Sequence, residues 1–540
     1  MKKPFLVLFL LIGLLSQSAF AQTVKITTAE RKIAEAITAS QLSNYLHFVA
    51  SDAMGGRDTP SQGLDVTAEF LKMNLERWGF KPAGDNGTFY QKIELTREVL
   101  DTDQVRLQIN GQTLKLGDDF LRLSGTRTAS GSLVFGRDGW MVRAKNIDAF
   151  AGVDVAGKIV VIASTGLTGR YISPLPAGVS QEDLKGTAGE DWADPLTNAM
   201  KRGAAGIIVI APPEVSADWT RVRGFLGRSR LQPEKLRTAP AGDAIPVFLV
   251  AKPVGDAIFG GESGNAASAT AFAINKSANL SAVTRKETAW TQNVVAVWEG
   301  SDPVLKKEMV AIGAHYDHVG TNPNAPGEDK IWNGADDDGS GTVAVLSIAE
   351  ALAQAKVRPK RSILLVWHAG EEKGLWGADY FNRFPTVDIK NVIAQLNIDM
   401  IGRSKPAGDT NPRNKDLTGP NAVYLIGSEM MSSTLGAITK GTNSAFLNLE
   451  YDYKYDDPKD TNRFFFRSDH FHYAQNGIPI AFWFTGTHQD YHGAGDHADK
   501  IDYAKMEKIA RTIFLTMWEL TDLKERPKID KQLPPELTQK

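Results

Sequence analysis

The sequence predicts an α/β protein: a sandwich on a mostly parallel central sheet, interrupted by a second, β-rich domain. Three observations carry this reading. The chain has 540 residues, and a single hydrophobic core stops growing at roughly 250–300 residues, so more than one domain is required. From Asn293 to about Leu523, short apolar runs alternate with amphipathic helical stretches, the pattern of strands joined by crossover helices. From Thr102 to Ala282 nearly all the runs are strand-like and are broken by Gly, Pro and Ser.

Taken in order, the chain opens with Lys2 and Lys3, an apolar run from Phe5 to Leu15 and the small-residue site Ala19-Phe20-Ala21. Residues 1–21 read as a secretory signal peptide, the run being shorter than the roughly 20 residues a membrane span needs. This predicts an exported protein, periplasmic or secreted. Residues 22–101 read as a helical lead-in, with helical apolar spacing in Ala68 to Leu75 and a turn at Gly84-Asp85-Asn86-Gly87. In residues 102–282, strands are expected at Ser132–Phe135, Lys158–Ile162, Gly206–Ile210 and Ile245–Val250, with one helical patch at Pro195–Arg202. In residues 283–523, strands are expected at Met309–Ala314, Ser362–Trp367, Val392–Ile398, Val423–Ile426 and Ile478–Phe484. Helices alternate with them at Thr342–Ala355, Leu375–Phe384 and Lys505–Leu520. Residues 524–540, with Pro527, Pro534 and Pro535, read as a mobile tail.

Composition removes several functions. Lys and Arg total 61 against 63 Asp and Glu, so no net field draws in nucleic acid or an anionic membrane. No cysteine occurs, which excludes thiolate metal sites, disulfides and a cysteine nucleophile. No His-Glu pair and no G-x-S-x-G elbow is present, and the Walker-like run Gly152–Lys158 continues with Ile159 where Ser or Thr is needed.

Eight of the nine histidines lie between His315 and His497. His315 and His368 end predicted strands, where open α/β sheets bind ligands. Five clusters stand beside strands or the helices after them: His315-Tyr316-Asp317-His318, Asp336-Asp337-Asp338 between glycines, His368 with Glu371-Glu372, Asp399, and Asp490-Tyr491-His492 with Asp496-His497. Adjacent carboxylates repel unless cations hold them, and paired glutamates can divide metal binding from proton transfer. Nitrogen and oxygen donors without sulfur suit zinc, cobalt or manganese.

These residues resemble the co-catalytic dinuclear zinc aminopeptidases, relatives of glutamate carboxypeptidase, glutaminyl cyclase and the transferrin receptor. The resemblance implies two zinc ions per chain, with His315 and Asp399 on one, Glu372 and His492 on the other, Asp337 bridging them and a cis peptide after it. It implies Glu371 as general base and Asp317 as the partner orienting His315. It further implies hydrolysis of N-terminal residues from a peptide with a free N-terminus, through a hydroxide shared by the metals. Asp469 and His470, in Arg467-Ser468-Asp469-His470, border the substrate pocket in relatives, whereas His318, His368, His472, His488 and His497 match no ligand position. The lead-in also resembles the family in Ala50-Ser51-Asp52-Ala53-Met54-Gly55-Gly56-Arg57, and residues 102–282 resemble an inserted protease-associated domain through Val155–Val160 and Ala199–Gly206. A glutaminyl-cyclase-like or carboxypeptidase-like enzyme, and a non-catalytic receptor-like protein, remain the alternatives on this scaffold.

Overall fold

The computed structural model describes residues 24–167, 171–226, 229–237, 244–260 and 270–538. The signal-peptide reading, residues 1–21, lies outside the described residues. The chain divides into two compact units, one of residues 1–93 and 290–540 and the other of residues 94–289.

The first unit is built on strands β1 (Tyr90–Leu100), β2 (Thr284–Trp298), β3 (Met309–His315), β4 (Ser362–His368), β5 (Val392–Ile398), β6 (Ala422–Ile426), β7 (Glu450–Asp452) and β8 (Ile480–Phe484). Their order is β1-β2-β4-β3-β5-β8-β6-β7. The centre β4-β3-β5-β8 is parallel, while β2 on β4 and β6 on β8 are antiparallel. The sheet is therefore mixed, with a parallel middle and a second parallel pair, β6 and β7, at its edge.

The parallel strands are buried throughout and mostly apolar because both of their faces are covered. Every residue of β3 is buried, and alternate side chains enter opposite cores. Val310, Ile312 and Ala314 join one core with Ile363, Leu365 and Trp367 of β4. Met309 and Ala311 join the other with Leu364 and Val366. The first core is filled by helices α1 (Thr28–Ala34), α2 (Ala39–Val49), α3 (Gln62–Arg77), α4 (Gly341–Gln354) and α5 (Tyr503–Asp522). The lead-in is thus helical as far as Arg77, but it turns to strand at Tyr90, earlier than its helical spacing predicts, because Phe89 and Val295 join through their backbones.

The tail differs from its expected mobility. Leu537 is 2% exposed in the second core. Arg526 donates to Glu308 at 2.7 Å, and the Asp530 carboxylate accepts the Ser433 N–H at 2.9 Å. Prolines stop the segment from forming a helix without preventing it from packing in extended form.

The second unit carries an eight-stranded sheet with a parallel centre of Thr128–Phe135, Ile159–Ala163, Gly206–Ile210 and Val247–Val250. Its flanking strands, Phe272–Ser281 and Phe120–Ser124, run antiparallel. The helix Pro195–Lys201 begins at Asp194, whose carboxylate accepts the Leu196 and Thr197 N–H groups.

Candidate metal centre

The chemistry-bearing side chains meet at the carboxyl ends of the parallel strands. His315 ends β3, Glu371 and Glu372 follow β4, Asp399 follows β5, and His492 lies in the loop after β8. Asp337 precedes α4. Local strain accompanies this convergence: Met400, beside Asp399, and His492 itself are non-glycine residues with φ of 55° and 49°. The Asp337–Asp338 peptide bond is cis.

The three consecutive aspartates do three different things. Asp338 Oδ1 accepts the N–H groups of Gly341 and Met400 at 2.9 and 3.1 Å, binding the start of α4 to the end of β5. Asp336 Oδ1 accepts the Gly402 N–H at 2.6 Å. These two are held by backbone donors, so mutual repulsion does not require a cation at each, contrary to what their adjacency implies. A Cβ at Gly341 would stand 2.4 Å from the Ile398 carbonyl, which explains a glycine where helix and strand end meet.

Asp336 Oδ2 faces His488 Nε2 at 3.3 Å, whereas Asp337 faces His315 and His492, one with each oxygen. Oδ1 lies 3.3 Å from His315 Nε2, which in turn is 3.7 Å from Asp399 Oδ2. Oδ2 lies 3.1 Å from His492 Nε2, which is 3.0 Å from Glu372 Oε2. Two donor groups result, His315–Asp337–Asp399 and His318–Asp337–Glu372–His492, within each of which the donor atoms lie within 4.8 Å of one another. The structure thus brings together all five predicted ligands, with His318 as an addition. Its signal in the sequence is its place in His315-Tyr316-Asp317-His318, three residues beyond the strand end, although it matches no ligand position of the family that the sequence resembles.

The donor chemistry fits divalent cations. Asp337 Oδ2, Glu372 Oε1 and His492 Nε2 are buried atoms with no hydrogen-bond partner among the described residues. Burial and hydrogen bonding pull in opposite directions here. Burial depresses His492, but Asp337 and Glu372 overcome it and lift the imidazole to about 10. His315, also opposed by burial, is raised well above the usual range by Glu371, Asp317, Asp337 and Asp399. Burial works to raise Asp337, yet His315 and His492 hold it well below the usual carboxylate range. Such a cluster needs positive charge, from protons or from metal.

Glu371 stands apart from the donors. Its carboxyl is raised well above the ordinary range, first by burial and then by Glu372, Asp399 and Asp469. Asp317 is fully buried and accepts the Glu371 N–H at 3.2 Å. The atom nearest His315 Nδ1 within Asp317 is its carbonyl oxygen, at 3.2 Å, with the carboxylate at 3.6 Å. Asp317 therefore positions both His315 and Glu371.

A small cleft opens beside the cluster, lined by His315, Asp337, Glu371 and Asp399, with Met400, Phe464, Phe482, Phe484 and Tyr491 as an apolar wall and Arg467 and Thr487 also on its lining. Asp469 and His470, expected at the substrate pocket, are fully buried and absent from this lining. Asp469 pairs with His368 at 3.3 Å and His470 stacks on Phe482 with ring centroids 4.5 Å apart, so packing against β8 turns both inward.

Two further residues hold the centre together. Asp496 Oδ2 accepts the N–H groups of Asp336 and Asp337 at 2.9 and 3.1 Å, tying the loop of His492 to that of Asp337. Arg57, fully buried, donates to the carbonyls of Tyr316, Asn333 and Gly334, which flank His315 and Asp337.

The imidazoles and carboxylates thus form two groups around a shared aspartate, each able to hold a metal ion. Residues 293–517 match the profile of peptidase family M28. A "probable leucine aminopeptidase 2" of Aspergillus oryzae is 28% identical over 268 residues, 45% of this chain and 48% of its own length. Leucine aminopeptidase 2 of Arthroderma otae is 25% identical over 281 residues, 47% of this chain and 50% of its own. The chain thus spans about half the length of the relatives it matches. An aminopeptidase from Aneurinibacillus sp. strain AM-1 aligns over 94% of this chain and 98% of its own, with 17% identity and a TM-score of 0.45.

Proposed function

We propose that the protein is an exported, zinc-dependent aminopeptidase that removes apolar N-terminal residues from peptides. The observation that carries this reading is the pair of donor groups sharing the two oxygens of Asp337, with Glu371 on the same cleft but outside both groups. Five of the residues, His315, Asp337, Glu372, Asp399 and His492, would hold two zinc ions. When bound, such ions supply Lewis-acid polarisation of a scissile carbonyl and of water. The chain's own residues do the rest. Glu371, its carboxyl held high by burial, takes a proton from water and returns it to the departing amine. Asp317 fixes the backbone N–H of Glu371 and the ring of His315. Phe464, Phe482 and Phe484 receive the side chain of the first residue and exclude water. The matched relatives named leucine aminopeptidase support the same apolar preference. Under this reading the second unit is an inserted protease-associated domain.

The test compares leucyl, lysyl and glutamyl reporter amides with wild-type and Glu371→Gln protein at equal metal content. Leucyl turnover that falls at least 10²-fold in Glu371→Gln is expected from the size of general-base effects. An active Glu371→Gln variant removes the base assignment. Release of pyroglutamyl peptides or of C-terminal residues instead would assign the cyclase or carboxypeptidase chemistry.

A further inference from the structure

The two donor groups are unequal, and the inequality comes from His318. Its ring is fully buried, and neither ring nitrogen has a hydrogen-bond partner among the described residues. Nδ1 nevertheless lies 2.9 Å from Glu372 Oε1 and 3.7 Å from Asp337 Oδ2. The Glu372 oxygen is likewise without a hydrogen-bond partner despite that closeness. Two polar atoms this near, neither aimed at the other, point together at a third position.

The spacing matches one metal. Donors about 2.0–2.1 Å from a tetrahedral zinc are separated from each other by about 3.3 Å. Around this position His318 Nδ1 lies 2.9 Å from Glu372 Oε1 and 3.7 Å from Asp337 Oδ2, and His492 Nε2 lies 3.0 Å from Glu372 Oε2 and 3.1 Å from Asp337 Oδ2, so each imidazole meets one oxygen of Glu372 and both meet the same oxygen of Asp337. The backbone makes room for the ring: a Cβ on Gly334, at φ 59°, would stand 2.4 Å from His318 Cγ.

Resting on the dinuclear reading above, we infer that His318 is a fourth protein donor, which closes the position shared by Asp337, Glu372 and His492 and leaves the position of His315, Asp337 and Asp399 open to substrate. The lining of the cleft agrees. His315, Asp337 and Asp399 border it, whereas His318, Glu372 and His492 do not. Four protein donors are the mark of a closed, tightly held zinc, and three with a vacancy the mark of a reactive one. The closed position, with two imidazoles, therefore fills first and holds its ion more firmly. The open position fills second and is the one that meets the peptide carbonyl.

Two measurements test this on the full chain with zinc alone. X-ray absorption of wild-type protein loaded with one equivalent is expected to show two imidazoles on the zinc. Titration against a competing chelator is expected to show two unequal affinities, with the tighter one weakened in His318→Ala by at least about 10–100-fold, the loss seen when a group that merely orients a ligand is removed. One imidazole in the wild-type spectrum, or unchanged affinities in a folded His318→Ala, overturns the assignment of His318. Wild-type protein that takes up fewer than two zinc ions overturns the dinuclear reading itself. The wild-type spectrum decides the matter if the variant does not fold.

Discussion

Removing Arg57 should cost the first unit several kcal/mol although the residue touches no donor atom of the metal centre. Its guanidinium is fully buried and donates to four carbonyls: Tyr316 at 3.0 Å, Val49 at 2.9 Å, Asn333 at 2.6 Å and Gly334 at 2.7 Å. A hydrogen bond from a charged group contributes about 1.5–3 kcal/mol, so four amount to about 6–12 kcal/mol before relaxation. Water entering the space left by Arg57→Ala can satisfy on the order of half of the carbonyls. A loss of about 3–6 kcal/mol remains, close to the cost of about 3–5 kcal/mol for breaking a buried ion pair. Against a typical total of about 5–15 kcal/mol this brings the unit near unfolding. Arg57→Lys separates charge from geometry. Lysine keeps the positive charge beside Asp317 and Asp337 but gathers its donors at one point, so it cannot span carbonyls on three loops. Its expected loss is about 2–3 kcal/mol. Urea unfolding in metal-free buffer, followed by tryptophan fluorescence and far-UV circular dichroism, measures both variants. A loss below about 1 kcal/mol in Arg57→Ala, or a lysine variant equal to wild type, would refute the argument from carbonyl satisfaction.

The remaining predictions concern protons, the second core and the loop tie. His492 is raised to about 10, so without metal it carries a proton at pH 7–8, and His315 is raised in the same direction. Metal binding must expel the His492 proton, and zinc affinity should climb by about 10-fold or more per pH unit between pH 6.5 and 9; calorimetry in buffers of different ionisation enthalpy counts the protons released, and a count of zero contradicts the cluster as described. Asp456 is raised by burial to about 6, even though it accepts the Gly427 N–H at 2.6 Å. Its raised native pKa means that stability is full below the unfolded value of about 3.9 and is lost as pH rises through 6; Asp456→Asn should be about 1–3 kcal/mol more stable than wild type at pH 8, a gap that narrows toward pH 5 in urea melts. Deleting residues 524–540 exposes the pocket of the buried Leu537, takes Arg526 from Glu308, which keeps Arg361, and frees Ser433. The deletion should lower stability by about 2–4 kcal/mol, and a melting temperature equal to wild type would restore the picture of a loose tail. Asp496→Ala leaves the Asp336 and Asp337 N–H groups without their acceptor; zinc retained after dialysis should fall while Asp496→Asn, which keeps an acceptor, retains more.

How much could be read beforehand depended on how local the cause was. Strand β3 was legible because both its faces are covered, and a run such as Met309 to Ala314 has no polar residue to explain in any other way. The strand-end positions of His315 and Glu371-Glu372 were legible for the same reason, since they mark where that run stops. The mixed character of the sheet was not. Strand β6 is as apolar as β5, and its antiparallel pairing with β8 is set by the chain path rather than by any residue in it. Arg57 lay in a motif that resemblance pointed out, but its partners Tyr316 and Asn333 are 259 and 276 residues away, and no spacing rule reaches that far.

The three aspartates show where a single sequence stops being informative. Asp336, Asp337 and Asp338 have the same side chain, neighbouring glycines and an identical place ahead of a helix, so local chemistry ranks none of them. The difference between them comes from Met400 and Gly402, whose N–H groups arrive 62 and 66 residues later and take one oxygen each from Asp338 and Asp336. With its backbone N–H held by Asp496, Asp337 is left free to turn both oxygens toward the imidazoles. Which of the three faces both donor groups is thus set by the backbone donors that hold the other two. It follows that moving the β5 loop should disturb the metal centre as surely as replacing a ligand, because a freed Asp338 or Asp336 becomes a competing carboxylate beside Asp337.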